Sequence, residues 1–186
     1  MAQDKQYLVL YDSQYGFTEQ YARWIAEDLG GDCAARKDVN PQQLQKYDGL
    51  IYGGGLYAGG VSGLKWLAKQ LPSLAGKRIA LFTCGVADPS EPQNVSHIRE
   101  GIAKVLTPEQ MGKTAFFHLR GGLDYSRMGI VHKAMMGMLK KMLESKPEQE
   151  LTGEDRQILA TYGQTIDFTD RASVRPIIEW AEKGED

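Results

Sequence analysis

The chain has 186 residues, of which 42% are hydrophobic and 25% charged, a composition typical of a globular protein with a sizeable core. Its 22 basic and 24 acidic side chains leave a formal net charge of −2, so charge predicts no nucleic-acid partner and no obligatory anionic membrane. Cys33 and Cys84 lie outside any metal-ligand spacing, and we expect free thiols and no metal site. Without an apolar run of about 18 residues or a signal-peptide pattern, a cytoplasmic protein is expected.

Short, continuous apolar runs alternate along the chain with segments of helical periodicity. Such runs are typical of strands buried on both faces of a parallel sheet, and they predict strands near residues 6–12, 33–39, 47–54, 77–85 and 113–122. Apolar positions at helical spacing predict helices near residues 18–31, 61–71, 95–106 and 172–183, with a short helix or turn after Asn40. The alternation implies right-handed crossovers and a doubly wound α/β sheet, in one domain spanning residues 1–186.

Residues from about 121 to 168 exceed what a minimal five-stranded unit needs and predict a helical insertion after the fifth strand. A methionine-rich helix is expected within 123–150, followed by an irregular stretch over 151–169. On a helical wheel Val131, Met135, Met138 and Met142 form one apolar stripe. This stripe either packs on the domain or forms an adaptable binding surface for a quinone, a porphyrin, a membrane or a partner protein, since methionine repacks easily.

The first predicted strand passes directly into a helix through a loop rich in hydroxyl groups and backbone donors. A helix start offers free N–H groups and the positive end of the helix dipole, and Gly16 allows a close backbone approach. The loop has no lysine and no G-x-x-x-x-G-K-[ST] motif, which excludes a nucleoside-triphosphate loop and favours a terminal monoester phosphate. The alternative is an ordinary turn capped by Thr18. The candidate phosphate-binding residues are Ser13, Gln14, Tyr15, Gly16, Phe17 and Thr18.

The segment VLYDSQYGFTEQYARWI, residues 9–25, resembles the flavodoxin signature, with Ser13, Gly16 and Thr18 in register. The resemblance implies a flavodoxin-like, doubly wound five-stranded parallel sheet of order 2-1-3-4-5 that binds FMN, with its phosphate in this loop. It also implies that the loops after the third and fourth strands hold the isoalloxazine ring. These loops supply the further candidates Gly54, Gly55, Leu56, Tyr57, Ala58, Thr83, Cys84, Gly85, Val86 and Ala87.

Individual residues around the expected ring site have competing interpretations. Tyr57 is the candidate for stacking on the flavin, because a ring needs flat apolar faces; the alternatives are an exposed loop tyrosine or a lid over the core. Cys84 is expected to be a small buried residue, since no cation lies near it in sequence to activate a thiol. Asp88 is interpreted as an exposed loop residue. Asp124 either contacts the ribityl chain or caps the junction between the fifth strand and the insertion.

The glycine-rich stretch LIYGGGLYAGGVSG, residues 50–63, has a second interpretation. Gly53, Gly55 and Ala58 match the G-x-G-x-x-A spacing of a dinucleotide-binding loop. That motif requires an acidic residue at the end of the next strand to bind ribose, and the next strand ends LFTCG with no acid before Asp88. The flavin interpretation is therefore favoured.

Two later segments extend the resemblance to one branch of the flavodoxin superfamily. LRGGLDYSRMGIVHKAMMGMLKKM and FTDRASVRPIIEWA are similar to the menaquinone-dependent protoporphyrinogen oxidases, which also carry a helical insertion after the fifth strand. The near-neutral charge departs both from acidic electron-transfer flavodoxins and from the basic insertion of that branch.

These resemblances imply an FMN-binding electron-transfer protein in which the flavin does the chemistry and no side chain is catalytic. Its partners would be redox proteins or a small-molecule electron acceptor. The alternative is an FMN-dependent dehydrogenase of the protoporphyrinogen oxidase type with a quinone acceptor. A peripheral membrane contact through residues 128–142 is compatible with both.

Overall fold

The computed structural model describes residues 5–57 and 60–183. The helices and strands follow in the order β1 Tyr7–Asp12, α1 Phe17–Leu29, β2 Asp32–Ala35, β3 Gly49–Tyr57, β4 Gly60–Val61, α2 Leu64–Gln70, β5 Arg78–Gly85, α3 Pro92–Ala103, α4 Pro108–Gly112, β6 Thr114–Arg120, β7 Gly122–Leu123, α5 Ile130–Glu144, α6 Gly153–Thr161, β8 Ile166–Asp167 and α7 Arg175–Glu182. Single 3₁₀ turns link several of them, among them Pro41–Lys46 after Asn40.

The main sheet has the strand order β2-β1-β3-β5-β6, and these five strands run parallel. The short strand β4 pairs antiparallel with the end of β3 as a hairpin. With β4 set aside, the observed order is the predicted 2-1-3-4-5, so the predicted fold class is confirmed. A separate pair, β7 and β8, lies after the last sheet strand.

Each central strand is buried on both faces because helices cover both sides of the sheet. Alternate residues along a strand therefore enter two different cores. The first core lies between the sheet, α1 and α7 and includes Val9, Ile25, Ile51, Phe82 and Ile177. The second lies between the sheet, α2 and α3 and includes Leu10, Tyr52, Leu67, Leu81 and Ile102. This double burial is the physical reason for the continuous apolar runs in the strands.

Three predictions of elements were wrong for local reasons. The strand expected over 33–39 ends at Ala35, because Arg36–Asp38 form a 3₁₀ turn. The helix expected from Val61 begins at Leu64, because Gly60 and Val61 pair with β3 instead. The stretch 151–169, predicted to be irregular, contains α6 and β8. Helix α6 begins at a capping box in which the Thr152 hydroxyl accepts the Asp155 N–H and the Asp155 carboxylate accepts the Thr152 N–H.

Most of the apolar stripe of α5 is exposed, although Met135 also lines a cavity. Val131 and Met138 are each 72% exposed, Met142 is 51% exposed and Met135 45%. The face that packs on the domain carries Met136 and Leu143 instead. Of the two alternatives for the stripe, packing on the domain is therefore wrong for Val131, Met138 and Met142. No helix within residues 5–57 and 60–183 is both long and apolar enough to cross a membrane.

Candidate functional site

The loop between β1 and α1 is folded around Gly16, whose φ of +92° places it in the left-handed region that favours glycine. The Ser13 hydroxyl accepts a hydrogen bond from the Gly16 N–H at 3.0 Å. Gly16, and not Thr18, is the N-cap of α1, so the alternative of a Thr18-capped turn is wrong. The first N–H groups of α1 have no acceptor within the helix and carry the positive end of its dipole. The loop is thus arranged to bind an anion.

Three loops meet at the carboxyl edge of the sheet because of the register of its strands. Asp12 at the end of β1 pairs with Gly54 of β3, and Gly55 pairs with Cys84 of β5. The strand order reverses between β1 and β3, which is the position where open α/β sheets bind ligands. A cavity of about 260 Å³ lies at this point. Of the predicted site residues, the structure brings these around it: Ser13, Gln14, Tyr15, Phe17, Thr18, Gly55, Leu56, Tyr57, Cys84, Gly85 and Val86.

The remaining predicted residues lie elsewhere. Gly16 forms the left-handed N-cap of α1 and does not line the cavity. Gly54 packs against Ser62, next to the β3–β4 hairpin. Thr83 points into the second face of the sheet, and Ala87 lines a separate crevice beside α3. Asp124 caps the turn that follows β7. Ala58 lies outside the described residues.

The glycines of the dinucleotide-like motif stand inside a strand. Gly53 and Gly55 both belong to β3, and a Cβ on Gly53 would overlap the ring of Phe82. A dinucleotide loop needs its glycines in the turn between a strand and a helix, whereas this chain continues from β3 into the hairpin strand β4. The dinucleotide interpretation is therefore wrong for this stretch.

One wall of the cavity is formed by the insertion, and the sequence did not predict this wall. The insertion contributes residues of β7, α5 and α6 to the lining: Gly122, Leu123, Met135, Met136, Leu139, Glu154 and Ile158. Outside the insertion, Ser62 of the β4–α2 turn also lines the cavity. The methionine-rich composition signalled a special role for this segment. It could not show which side of the helix faces the cavity.

Tyr57 lies at the end of β3 and faces the insertion. Its hydroxyl is 3.9 Å from the Met135 sulfur, and its ring centroid is 5.9 Å from that of His132. Tyr15 approaches the same imidazole with a centroid separation of 6.4 Å. Tyr15 and Tyr57 therefore bring aromatic rings to the lining of the cavity, and His132 packs against both of them.

Tyr15 carries an unpaired polar group into this cavity. Its hydroxyl is buried and has no hydrogen-bond partner within residues 5–57 and 60–183. Burial raises the pKa of the phenol, and the nearby Tyr57 and Tyr125 raise it further. A buried donor without a partner is destabilising, so this hydroxyl suits a ligand that offers an acceptor.

Cys84 is a buried structural thiol. Its side chain is 5% exposed, and burial raises its pKa to about 12, partly offset by a hydrogen bond with the Thr18 hydroxyl. A thiol with this pKa is not a thiolate at neutral pH. Cys84 therefore contributes shape to the cavity, as expected from the sequence.

Glu154 is the one acid among the described residues that line the cavity. Its carboxyl is half-buried at the start of α6. Burial raises its pKa, the neighbouring Asp155 raises it further, and His97 lowers it. Glu154 also lines the crevice beside α3, so it stands between the cavity and a second opening.

Thr83 is part of a buried polar pair away from the cavity. Its hydroxyl forms a 2.8 Å hydrogen bond with His118 Nδ1, while His118 Nε2 is buried and lacks a partner in the described part of the chain. Burial and, to a smaller extent, the charge of Arg99 lower the pKa of His118 to about 4.

We expect this histidine to make stability fall in mild acid. The unfolded chain binds a proton at this histidine below about pH 6.5, whereas the folded protein resists protonation until about pH 4, so unfolding is favoured progressively across that interval. His118→Gln should flatten the decline, measured by urea unfolding at pH 7 and pH 5. The exposed His97→Gln serves as the control and should keep the wild-type decline. Equal declines in wild type and His118→Gln would contradict this assignment.

The fold and the meeting of three loops on one cavity define a class of protein: an α/β domain that binds a phosphorylated cofactor at the carboxyl edge of its sheet. The chain belongs to the flavodoxin-domain family, whose model matches residues 8–150. This membership confirms the predicted cofactor, FMN.

Solved structures of flavoproteins also resemble the chain. Flavodoxin 2 from Bacillus cereus, in its oxidised form, is 18% identical, with 83% of this chain and 93% of that chain covered and a TM-score of 0.41. Two-electron reduced flavodoxin from Megasphaera elsdenii is 16% identical, with coverage of 60% and 82% and a TM-score of 0.42. A flavoprotein in complex with FMN from Lactobacillus acidophilus is 16% identical, with coverage of 62% and 92% and a TM-score of 0.44. No curated protein matches the chain.

Proposed function

We propose that this protein is an electron-transfer flavoprotein that carries electrons on bound FMN. The supporting observation is the convergence of the β1–α1 anion loop with residues 55–57 and 84–86 on one cavity. The residues of the loop, Ser13 to Thr18, would hold the phosphate through backbone N–H groups and hydroxyls. Tyr57 and the 84–86 segment would hold the isoalloxazine ring, and the Tyr15 hydroxyl offers it a donor.

In this proposal the protein sets the position, the electrostatics and the water access of the cofactor. Bound FMN supplies the one- and two-electron redox chemistry. The apolar inner faces of α5 and α6 exclude water from one side of the cavity, while Glu154 is its single acidic group among the described lining residues. The partners would be redox proteins or a small-molecule acceptor. A cytoplasmic setting would keep Cys33 and Cys84 as free thiols.

The proposed function is tested on the purified protein. The expected protein is yellow, releases FMN on denaturation, and shows two separated one-electron potentials in a potentiometric titration. Absence of bound FMN, together with failure of the apoprotein to take it up, would overturn the proposal. A single two-electron step would instead favour the enzyme described next.

A second candidate is an FMN-dependent dehydrogenase of the protoporphyrinogen oxidase type with a quinone acceptor. It is favoured by one observation: the insertion both walls the cavity and presents an exposed apolar face, so it could guide a large apolar substrate. The test is oxidation of protoporphyrinogen with a menaquinone analogue. Turnover no faster than with free FMN would exclude this candidate.

The charge of Glu154 is expected to affect the reduction potential of bound FMN. A carboxylate beside the ring disfavours the added negative charge of reduction, so Glu154→Gln should raise the two-electron potential by about 30 mV, equal to about 1.4 kcal/mol. The difference should shrink as the pH falls, because protonation removes the charge of Glu154 and burial raises the pKa of its carboxyl. Potentiometry at two pH values measures both effects.

The control for this prediction is Glu150→Gln, which removes an exposed acid from the segment preceding α6. Its potentials should match the wild type. Equal shifts in the two variants would mean that net charge, and not the position of Glu154, sets the potential.

We also propose a peripheral contact between α5 and an anionic membrane surface. Ile130 is 88% exposed and Met138 72% exposed, and the exposed Lys133 and Lys141 lie on the same helix. An apolar helical face with flanking lysines is the pattern that binds anionic interfaces.

The protein should co-sediment with phosphatidylglycerol-containing vesicles and much less with phosphatidylcholine alone, and Ile130→Asp should release it. Equal binding of Ile130→Asp would contradict the contact.

A further inference from the structure

The predicted phosphate loop contains no cation of its own. Residues 13–18 are Ser, Gln, Tyr, Gly, Phe and Thr, so its donors are backbone N–H groups, hydroxyls and the Gln14 amide, all of them uncharged. A phosphate monoester carries a charge of about −1.5 to −2 at pH 7, because its second pKa is about 6. A guanidinium within reach of the loop would therefore add a strong, charge-assisted contact.

Arg127 of the insertion brings such a group to the loop. Its Nη1 donates a hydrogen bond to the Tyr15 carbonyl at 3.3 Å. The same nitrogen is 3.0 Å from where a Cβ on Gly16 would lie, so glycine allows the guanidinium to approach the backbone. Arg127 is 66% exposed, which leaves its remaining N–H groups open to a ligand.

Asp124 holds the guanidinium in this place. Its Oδ2 lies 3.3 Å from Arg127 Nε. The other carboxylate oxygen accepts hydrogen bonds from the Ser126 N–H at 3.0 Å, from the Ser126 hydroxyl and from the Thr165 hydroxyl at 3.4 Å. The carboxylate is thereby fixed from two segments of the insertion, and it directs the Nη atoms of Arg127 toward the loop.

We propose that Arg127, supplied by the insertion and positioned by Asp124, binds the phosphate of FMN. The inference rests on the proposed FMN site and adds a binding residue from outside its three loops. On binding, the Nη atoms exchange the Tyr15 carbonyl for phosphate oxygens, which are stronger acceptors because they are charged. The phosphate then links the β1–α1 loop to the insertion, so cofactor binding stabilises the wall formed by α5 and α6.

Titration of the apoprotein with FMN and with riboflavin, followed by flavin fluorescence, tests this proposal because riboflavin lacks the phosphate. Arg127→Ala should weaken FMN binding at least tenfold and leave riboflavin binding unchanged. Arg127→Lys should recover part of the affinity for FMN. Raising the salt concentration should weaken FMN binding more in the wild type than in Arg127→Ala, since the lost contact is ionic.

The matched control is Arg175→Ala, which removes an exposed guanidinium paired with Glu179 on α7 and should keep wild-type FMN affinity. Circular dichroism and the thermal midpoint establish that Arg127→Ala folds. The proposal is overturned if Arg127→Ala binds FMN as tightly as the wild type, or if it loses FMN and riboflavin by the same factor. A wild-type protein that binds neither flavin would overturn the proposed function, and this inference with it.

Discussion

Gly63→Ala is expected to lower the free energy of unfolding by about 2–5 kcal/mol. Gly63 has a φ of +73°, a left-handed conformation that costs other residues about 1–2 kcal/mol. A Cβ there would also overlap the Tyr52 hydroxyl and lie 2.9 Å from Asp12 Oδ2, and such overpacking typically costs about 1–3 kcal/mol. Urea unfolding followed by circular dichroism measures the change.

The control is Gly30→Ala, because Gly30 has a φ of +60° but no neighbouring atom of the described residues within 4 Å of the point where a Cβ would lie. In Gly30→Ala, the free energy of unfolding should fall only by the cost of the left-handed conformation, about 1–2 kcal/mol. The difference between the two variants isolates the crowding at Gly63. Equal losses would mean that the surroundings of Gly63 rearrange to accept a methyl group, contrary to the tight packing described.

The Gly63 variant should also weaken FMN binding. The Tyr52 hydroxyl donates to the Ser62 carbonyl at 3.1 Å, and Arg36 Nε donates to Asp12 Oδ2 at 2.8 Å. Asp12 immediately precedes the anion loop, so moving Tyr52 and Asp12 disturbs the start of that loop. The position therefore couples fold stability to the cofactor site.

Tyr57→Ala is expected to weaken FMN binding by about 5- to 150-fold and to shift both flavin potentials. The stacking face and the buried area of one aromatic ring together are worth about 1–3 kcal/mol, which is about 5- to 150-fold in affinity. Removing the ring also opens the cavity to water, which changes the relative stability of oxidised and reduced flavin. Fluorescence titration gives the affinity, and potentiometry on the reconstituted variant gives the potentials.

Tyr57→Phe is the matched variant, because it keeps the ring and removes only the hydroxyl that lies 3.9 Å from the Met135 sulfur. Its affinity and potentials should stay close to the wild type. If Tyr57→Ala also binds FMN normally and keeps its potentials, Tyr57 does not stack on the flavin.

The sheet and the three loops were predictable from the sequence for a simple geometric reason. Parallel strands bring their carboxyl ends to one edge, so loops that follow strands adjacent in the sheet meet there. Ser13, Tyr57 and Cys84 are far apart in the chain, and each follows or ends such a strand. The signature around Gly16 then predicted which of these loops would bind the phosphate.

Other features depend on details that a local pattern does not encode. Thr83 and Cys84 are adjacent, but side chains alternate along a strand, so Cys84 faces the cavity while Thr83 faces His118. Met135 and Met136 are likewise adjacent on α5, and only Met136 is buried. Which face of an amphipathic helix packs inward depends on the neighbouring elements, here α6, whose existence the sequence pattern did not predict.

A titration of isotope-labelled apoprotein with FMN, followed by amide NMR, tests the location of the cofactor most directly. We expect the largest chemical-shift changes on the amides of residues 14–19, 55–57 and 84–86, with further changes in the insertion at Gly122 and Leu123. Largest changes at the crevice between α3 and the start of α6, or changes without a contribution from residues 14–19, would contradict the assignment of the β1–α1 loop as the phosphate site.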